Sequence, residues 1–366
     1  MVAANSISPR DATVSFSRLL RGKRITFLQG QVNGVDLEQR LVVLDGRSIP
    51  YHRLAIALGS ETDFFDVPGL QENSFGLKSI EEANHLHTQI REMFALARKA
   101  TPEERRGALT FVVGGGGFTG VEMAGELADW LPELAEEHRI PMQEVRLILV
   151  EATRTMLAGF GRRPTRMARE KLAAKGVELK IGLPVVRAEP GLVHLGSGEA
   201  IQTRTLIWVG GVKAPPQLAE WGLAAGARGR ATINEYLQSV NHPEIYVIGD
   251  SSLVIEPSTG RPAPPSAQVA LQQASCLARN IAADLGHARH RSFQFSPTGD
   301  VISLGRNEAI AAFGPVVFDG YQARVLKEAI ALRYYYRIGG PGLALRKLPG
   351  SWRATGFGPR ALFPGL

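Results

Sequence analysis

Gly115, Gly117 and Gly120 stand at G-x-G-x-x-G spacing within residues 109–129, LTFVVGGGGFTGVEMAGELAD, and residues of this type in this order hold phosphate. One glycine lets the backbone reverse, a second lets a pyrophosphate approach the main chain, and a third lets a helix pack on a strand. The free N–H groups of the helix start then face the anion. The next apolar run, residues 145–150, ends at Glu151. A carboxylate there accepts a hydrogen bond from the adenosine ribose 2′-hydroxyl and repels a 2′-phosphate, which favours NAD over NADP, although nearby Arg154 blurs the preference.

Further candidates lie downstream. Residues 244–250, EIYVIGD, read as an apolar strand ending in Gly249 and Asp250. An Asp at the carboxyl end of a parallel strand lies at the ligand crevice of such folds, and capping of the following turn is the plainer alternative. After a Pro-rich loop a helix opens at Ser266, and Gln268 and Gln272, four apart, share one of its faces. The positive end of that helix would stabilise electron density on a reduced cofactor. Ordinary polar helix residues would look the same. Glu122, taken alone, reads as a first-turn carboxylate favoured by the helix dipole.

The elements that must position these residues alternate strand and helix. A strand pattern occupies residues 109–113, a helix runs to about residue 137, a strand covers 145–150, a helix 165–175, a strand 177–181, a hairpin 185–201 and a strand 206–211. Before them come short strands within residues 24–44, a strand ending at Gly59, and a helical stretch, residues 80–100, closed by Thr101 and Pro102. After the helix that opens at Ser266, residues 293–304 read as short strands and 309–317 as another strand.

An internal repeat supports two nucleotide-binding domains. Ile49, Leu54 and Gly59 match Ile201, Leu206 and Gly211 at one offset, each set on a hairpin followed by an apolar strand ending in glycine. By that offset, the partner of the Gly115 motif would fall upstream of Met1, so the expectation is that the chain lacks the start of its first domain.

Composition excludes several classes. The 366 residues, 44% hydrophobic and 21% charged, suit two or three soluble globular cores. The single cysteine, Cys276, rules out a disulfide scaffold and an intramolecular dithiol centre, and fits a reducing compartment. No 18-residue apolar run and no basic-then-apolar leader are present, so neither a spanning helix nor a cleaved signal is expected. His85 and His87, two apart on a helix, cannot share a face, and His287 and His290 sit in a basic loop, so no metal is expected. There is no G-x-S-x-G and no P-loop. Of the net charge of +7, nearly all belongs to residues 319–366, where eight Lys/Arg face only Asp319 and Glu328. With Tyr321, Tyr334, Tyr335, Tyr336 and Trp352 interleaved, that tail suits an anionic membrane surface more than nucleic acid. Val325, Ala329, Leu332 and Tyr336 form one helical stripe that would equally suit a core.

The stretches VVGGGGFTGVEMAGELAD, YHRLAIALGS, VPGL, NHPEIYVIGD and PPSAQVALQQA together resemble the type II NADH dehydrogenases, the non-proton-pumping NADH:quinone oxidoreductases, from about Asn5 to the basic tail. The resemblance implies an α/β fold of two Rossmann-like dinucleotide-binding domains, the NAD domain inserted in an FAD domain incomplete at its N-terminus, plus a C-terminal amphipathic segment. The implied division is 1–78 for the first part of the FAD domain, 79–232 for the NAD(H) domain, 233–318 for the second FAD part, and 319–366 for a membrane-associating tail. It implies hydride transfer from NADH to FAD and delivery of two electrons to a quinone in a respiratory chain. It further implies a peripheral position on the cytoplasmic face of the cell membrane and a homodimer. By position, Gly115, Gly117, Gly120, Gly211 and Glu151 would bind NADH, and Glu122 would sit near the nicotinamide and the quinone path. Gly59, Gly249, Asp250 and Ala267 would hold FAD, with Gln268 and Gln272 beside the flavin ring and quinone. The lone cysteine separates the chain from sulfide:quinone and disulfide reductases, which use paired redox cysteines. Two alternatives remain open: an NAD(H)-binding remnant without flavin activity, and a soluble flavin-dependent reductase with another acceptor.

Overall fold

A computed structural model of the chain describes residues 2–256 and 260–354, with side chains to Leu348. The chain divides into two compact units: the described residues of Met1–Ile25, Phe64–Gly211 and Gly299–Leu366, and those of Thr26–Asp63 and Val212–Thr298.

The first unit is built on four parallel strands, β1 (Thr110–Gly114), β2 (Arg146–Glu151), β3 (Val177–Ile181) and β4 (Thr205–Trp208), in the order β4-β1-β2-β3. Every residue of β1 is buried, as its unbroken apolar run requires of a central strand covered on both faces. Helix α1 (Ile80–Ala97) starts at a capping box in which Ser79 and Glu82 bond each other's backbone N–H groups, worth about 1 kcal/mol. Helix α2 (Phe118–His138) buries Leu127, Trp130 and Leu131 in the same core as β1, and α3 (Arg162–Ala174) buries Ala168 and Leu172 there. An antiparallel sheet, Asp300–Ser303 with Ala309–Phe313 and Val316–Asp319, lies against α2. Gly125 permits that approach, because a Cβ there would come within 2.6 Å of the Leu304 backbone. A long helix, α5 (Tyr321–Ala354), covers this sheet through Ala323 and breaks its helical geometry at Gly340 (φ 69°). A further antiparallel meander joins Val185–Glu189, Leu192–Leu195 and Ala200–Gln202.

The second unit carries its own meander, Val32–Asp36, Leu41–Leu44 and Arg47–Pro50, and a parallel pair, Leu54–Ile56 with Ile245–Val247. Helix α4 (Ala267–Asp284) packs Val269, Cys276 and Leu277 into its core with Leu237 and Tyr246. Burial and the Asp284 carboxylate push the Tyr246 hydroxyl up to about 12. The repeat is visible here. Ile49 and Ile201 each lie on the last strand of a three-stranded meander, and Leu54 and Leu206 each lie on a strand that pairs in parallel.

Several local expectations are corrected. The helical stretch does close ahead of Thr101 and Pro102, at Ala97, but these two residues also open a short helix, Pro102–Ala108, where Thr101 and Glu104 form a second capping box and proline occupies the first turn. Residues 309–317 are not one strand, because Gly314 (φ 58°) turns the chain between Ala309–Phe313 and Val316–Asp319. Of residues 293–304, only Asp300–Ser303 pairs as a strand. Of residues 24–36, only Val32–Asp36 does so, leaving Ile25 and Phe27 half exposed. The tail stripe is not core either: Val325 and Tyr336 are 44% and 59% exposed, and α5 instead buries Ala323, Arg324 and Leu343.

Candidate functional site

The three motif glycines of the first unit do three different things. Gly115 has φ 118°, and a Cβ there would fall 2.6 Å from the Gly210 Cα, so only glycine fits where the turn passes the end of β4. A Cβ on Gly120 would lie 1.8 Å from the Gly115 carbonyl oxygen, which is the contact that seats α2 against the turn. Gly117, at the N-cap of α2, has an ordinary φ of −73° and nothing within 4 Å of a built Cβ. Its N-cap bears no side chain, so the N–H groups of the first turn keep their donor capacity, and the positive end of a 21-residue helix opens onto free space.

Glu151, at the end of β2, is tied to this turn. Its Oε2 accepts from the Gly116 N–H (2.7 Å) and its Oε1 from the Thr153 N–H (2.6 Å). Two backbone donors fix the carboxylate beside the glycines, and each oxygen keeps a second lone pair for a ribose hydroxyl. Gly211, just after β4, ends the Phe64–Gly211 segment of the first unit.

Glu122, one turn into α2, faces a cavity of about 310 Å³ lined also by Ser79, Thr119, Met123 and Glu126. Its Oε1 accepts from the Ser303 N–H (3.0 Å) and from Lys327 Nζ of α5, and Lys327 also donates to the Ser303 hydroxyl (2.9 Å). Glu126 is 1% exposed; its Oε2 accepts from the Ser6 hydroxyl, and its Oε1 has no hydrogen-bond partner among the described residues. On α5, burial lifts the Glu328 carboxyl above the usual range, opposed by Arg324 and Lys327, and Arg324 Nη2 lies 2.9 Å from Glu328 Oε1.

The candidates of the second unit are held as follows. Gly59 and Gly249 both have φ 72°, and the Gly59 carbonyl accepts from the Ser251 hydroxyl (2.7 Å). Asp250 Oδ2 accepts from the Ser60 hydroxyl (2.8 Å). Ala267 is the first residue of α4, whose N-cap Ser266 accepts from the Val269 N–H. Gln268 Oε1 accepts from both the N–H and the hydroxyl of Thr298, and Gln272 pairs through both ends of its amide with the Ser296 backbone. These two side chains therefore fasten residues 296–298 to α4.

Residues 4–274 match the pyridine nucleotide-disulphide oxidoreductase family. Over 348 residues the chain is 31% identical to a type II NADH:quinone oxidoreductase of Staphylococcus aureus strain MSSA476, a match covering 94% of this chain and 86% of that protein. The chain belongs to the type II NADH:quinone oxidoreductases. The fold agrees. The structure of NDH2 from Plasmodium falciparum in complex with NADH superimposes with a TM-score of 0.82 at 16% identity, covering 97% of this chain and 87% of that one. The sulfide:quinone oxidoreductase of Aquifex aeolicus gives 0.72 at 18% identity, over 92% and 81%. The enzyme is thus an α/β flavoprotein-fold oxidoreductase that uses FAD and NAD(H). Its one thiol has no redox partner, and burial pushes Cys276 up in pKa while its Sγ donates to the Arg291 carbonyl.

Sequence reasoning missed four residues of these arrangements. Gly116, hidden in the run of four glycines, donates to Glu151. Lys327, counted with the basic tail, turns inward to Glu122. Glu126 follows Glu122 by one helical turn and is buried. Gln273 is fully buried, accepts from the Gly249 N–H (2.6 Å) and donates to Ser252 (2.9 Å), so it holds the turn that carries Asp250. The helical period could have flagged Gln273, which shares the face of Val269, Cys276 and Leu277. Of the tail residues, Arg360 lies outside the described residues.

Proposed function

We propose that the enzyme binds NADH at the Gly115–Gly120 turn, with Gly117 against the pyrophosphate and Glu151 on the adenosine ribose, and passes its electrons through FAD to a quinone. The reading rests on one observation above the others: an uncapped helix N-terminus opening onto free space at Gly117, with a carboxylate pinned to the same turn. That donor set fits a dinucleotide, because the first-turn N–H groups meet the anion and Glu151 accepts from the ribose. In the second unit Gly59, Gly249, Asp250 and the start of α4 at Ala267 offer backbone N–H groups, a carboxylate and a positive helix end, which suit the ribityl chain and ring edge of a flavin. Bound flavin supplies a two-electron acceptor for the hydride of NADH and a donor for the quinone. Gly211 belongs to the NAD(H) side of this scheme, residues 79–232, while residues 1–78 and 233–318 would serve FAD.

Glu122 is the group we assign to the quinone end, where hydroquinone formation takes up protons; Lys327 and the Ser303 N–H orient its carboxylate. Gln268 and Gln272 are assigned to the flavin side, within the second unit, where they hold residues 296–298 in place. The tail would seat the enzyme on the cytoplasmic face of an anionic membrane, where its quinone resides. The exposed Val325, Ile330, Tyr334, Tyr336 and Leu345 on a helix carrying Arg333 and Arg337 support that role. Among the described residues no helix is long and apolar enough to cross a membrane.

The test is direct. The purified chain is expected to carry flavin absorbance and to oxidise NADH in the presence of a short-chain quinone. A colourless protein that leaves NADH unoxidised with quinone present would refute the reading.

A further inference from the structure

Within the second unit a buried guanidinium stands without a carboxylate against it. Arg230 is 8% exposed, and it forms no ion pair among the described residues. Its Nε donates to the Ser252 carbonyl (2.8 Å) and its Nη2 to the Ala263 carbonyl (3.1 Å). Two neutral oxygens satisfy these donors without cancelling the charge, and burying a charge in that state is costly. Burial accordingly pulls the Arg230 guanidinium below its usual range; Asp250 opposes that shift through space, and solvent-exposed Arg228 adds to it.

The local fold holds both charges still. Arg230 leads into a two-residue strand, Ala231–Thr232, which pairs in parallel with Ser252–Leu253, directly after Asp250 and Ser251. The Ser252 hydroxyl donates to the Gly249 carbonyl (2.9 Å) and accepts from the Gln273 amide (2.9 Å), and the Ser251 hydroxyl is tied to the Gly59 carbonyl. With Ser60 on its Oδ2, the Asp250 carboxylate is fixed on this turn, and its Oδ1 has no hydrogen bond among the described residues. Ala263 lies on the approach to Ser266, the N-cap of α4. Arg230 therefore joins the turn that carries Asp250 to the approach to α4, the two elements placed above around the flavin.

A carboxylate is an unfavourable neighbour for FAD, whose pyrophosphate is anionic and whose ring gains negative charge on reduction. We propose that Arg230 is the counter-charge of Asp250: anchored on two carbonyls instead of on a carboxylate, it balances Asp250 through space, so that Asp250 can hold FAD without making the flavin harder to reduce. A direct ion pair would occupy the Asp250 oxygens, whereas anchoring on carbonyls leaves Oδ1 for a cofactor hydroxyl. Arg230 is in this role a positioning residue, acting on the cofactor through Asp250. The inference rests on the reading of the second unit as the flavin site.

The test equilibrates the FAD-loaded holoenzyme with a reference redox dye and reads the ratio of reduced to oxidised flavin at one fixed potential. Arg230→Met removes the charge at similar side-chain length, and the ratio is expected to fall about tenfold, with FAD dissociating faster. Arg230→Lys keeps the charge and should hold the ratio within about twofold of the parent. The deciding variant is Arg230→Met/Asp250→Asn, in which both charges are gone and the ratio returns to within about twofold of the parent. Asp250→Asn restores neither carbonyl contact, so a merely structural Arg230 allows no such recovery, and a double variant as impaired as Arg230→Met overturns the proposal. Asp250→Asn alone gives a reading that does not depend on the arginine variants folding: the ratio should rise about tenfold, because the cation is then unopposed, and no rise overturns the proposal. An unchanged ratio in FAD-loaded Arg230→Met overturns it as well and leaves the flavin reading standing. If the parent protein takes up no FAD, the flavin reading fails and takes this inference with it.

Discussion

Two substitutions three residues apart separate the folding role of the glycine turn from its binding role. At Gly120 a methyl group would sit 1.8 Å from the Gly115 carbonyl oxygen, a backbone atom that cannot rotate away. Overpacking of that kind costs about 1–3 kcal/mol where neighbours can shift, so Gly120→Ala should lie at or beyond the upper end. For a unit of this size that lowers the melting temperature by about 6 °C or more. At Gly117 the same methyl group meets no protein atom, and φ is −73°, so the fold loses only the preference of an N-cap for glycine over alanine, about 0.5–1 kcal/mol. The free space it enters is the space assigned to the pyrophosphate. Losing one charge-assisted N–H contact there costs about 1.5–3 kcal/mol, or roughly 10- to 150-fold in NADH affinity. Calorimetric titration with NADH and thermal melts of both variants read the two effects separately. A Gly117→Ala enzyme that binds NADH as tightly as its parent would refute the placement of the pyrophosphate. An unshifted melt for Gly120→Ala would refute the packing argument.

Other expectations follow from single contacts. Gln273→Ala leaves the Gly249 N–H without its acceptor and should cost about 1–3 kcal/mol in urea unfolding, with flavin retention falling in parallel; loss of neither would free that turn from Gln273. Glu126→Gln neutralises a buried carboxyl of which one oxygen has no partner among the described residues, so the urea midpoint should hold or rise, by up to about 1 kcal/mol, and a clear fall would show that the charge is compensated. The Arg146 hydrogen bonds hold the Glu178 carboxyl below its usual range. A depressed acid stabilises the fold above its unfolded pKa and loses that contribution as pH falls through the folded one, so the stability gap between the parent and Glu178→Gln should close below about pH 4. Both partners are about 40% exposed, which limits the gap to about 1 kcal/mol or less. For the tail, Arg333→Glu/Arg337→Glu should weaken partitioning onto anionic vesicles by about 30-fold or more, at about 1 kcal/mol per cation lost, and unchanged partitioning would remove α5 from the membrane contact.

What could be read in the sequence is what is local in the fold. The strand, glycine turn and helix of residues 109–129 form one continuous segment, and Gly120 answers to the Gly115 carbonyl inside it, so type and spacing suffice there, whereas Gly115 meets Gly210 from beyond β4. The Glu151–Gly116 bond already spans 35 residues, and it is legible as a role for Glu151 but not as the hydrogen bond that fixes it. The Glu122 arrangement is assembled from Ser303, 181 residues away, and Lys327, 205 residues away, and no periodicity links them. Lys327 was also concealed by its surroundings. In a tail rich in Lys, Arg and Tyr, each cation reads as part of one surface charge, yet α5 has an inner face as well, and there a cation can reach a carboxylate on α2. The glutamines of α4 show the same limit in miniature: Gln268, Gln272 and Gln273 are equivalent as residue types, and what separates them is the partner each meets. Gln273 faces the core and holds the Gly249 turn, whereas Gln268 and Gln272 grip residues 296–298. A residue's chemistry is thus set by its type, but its role in this enzyme is set by which distant element its helix face meets.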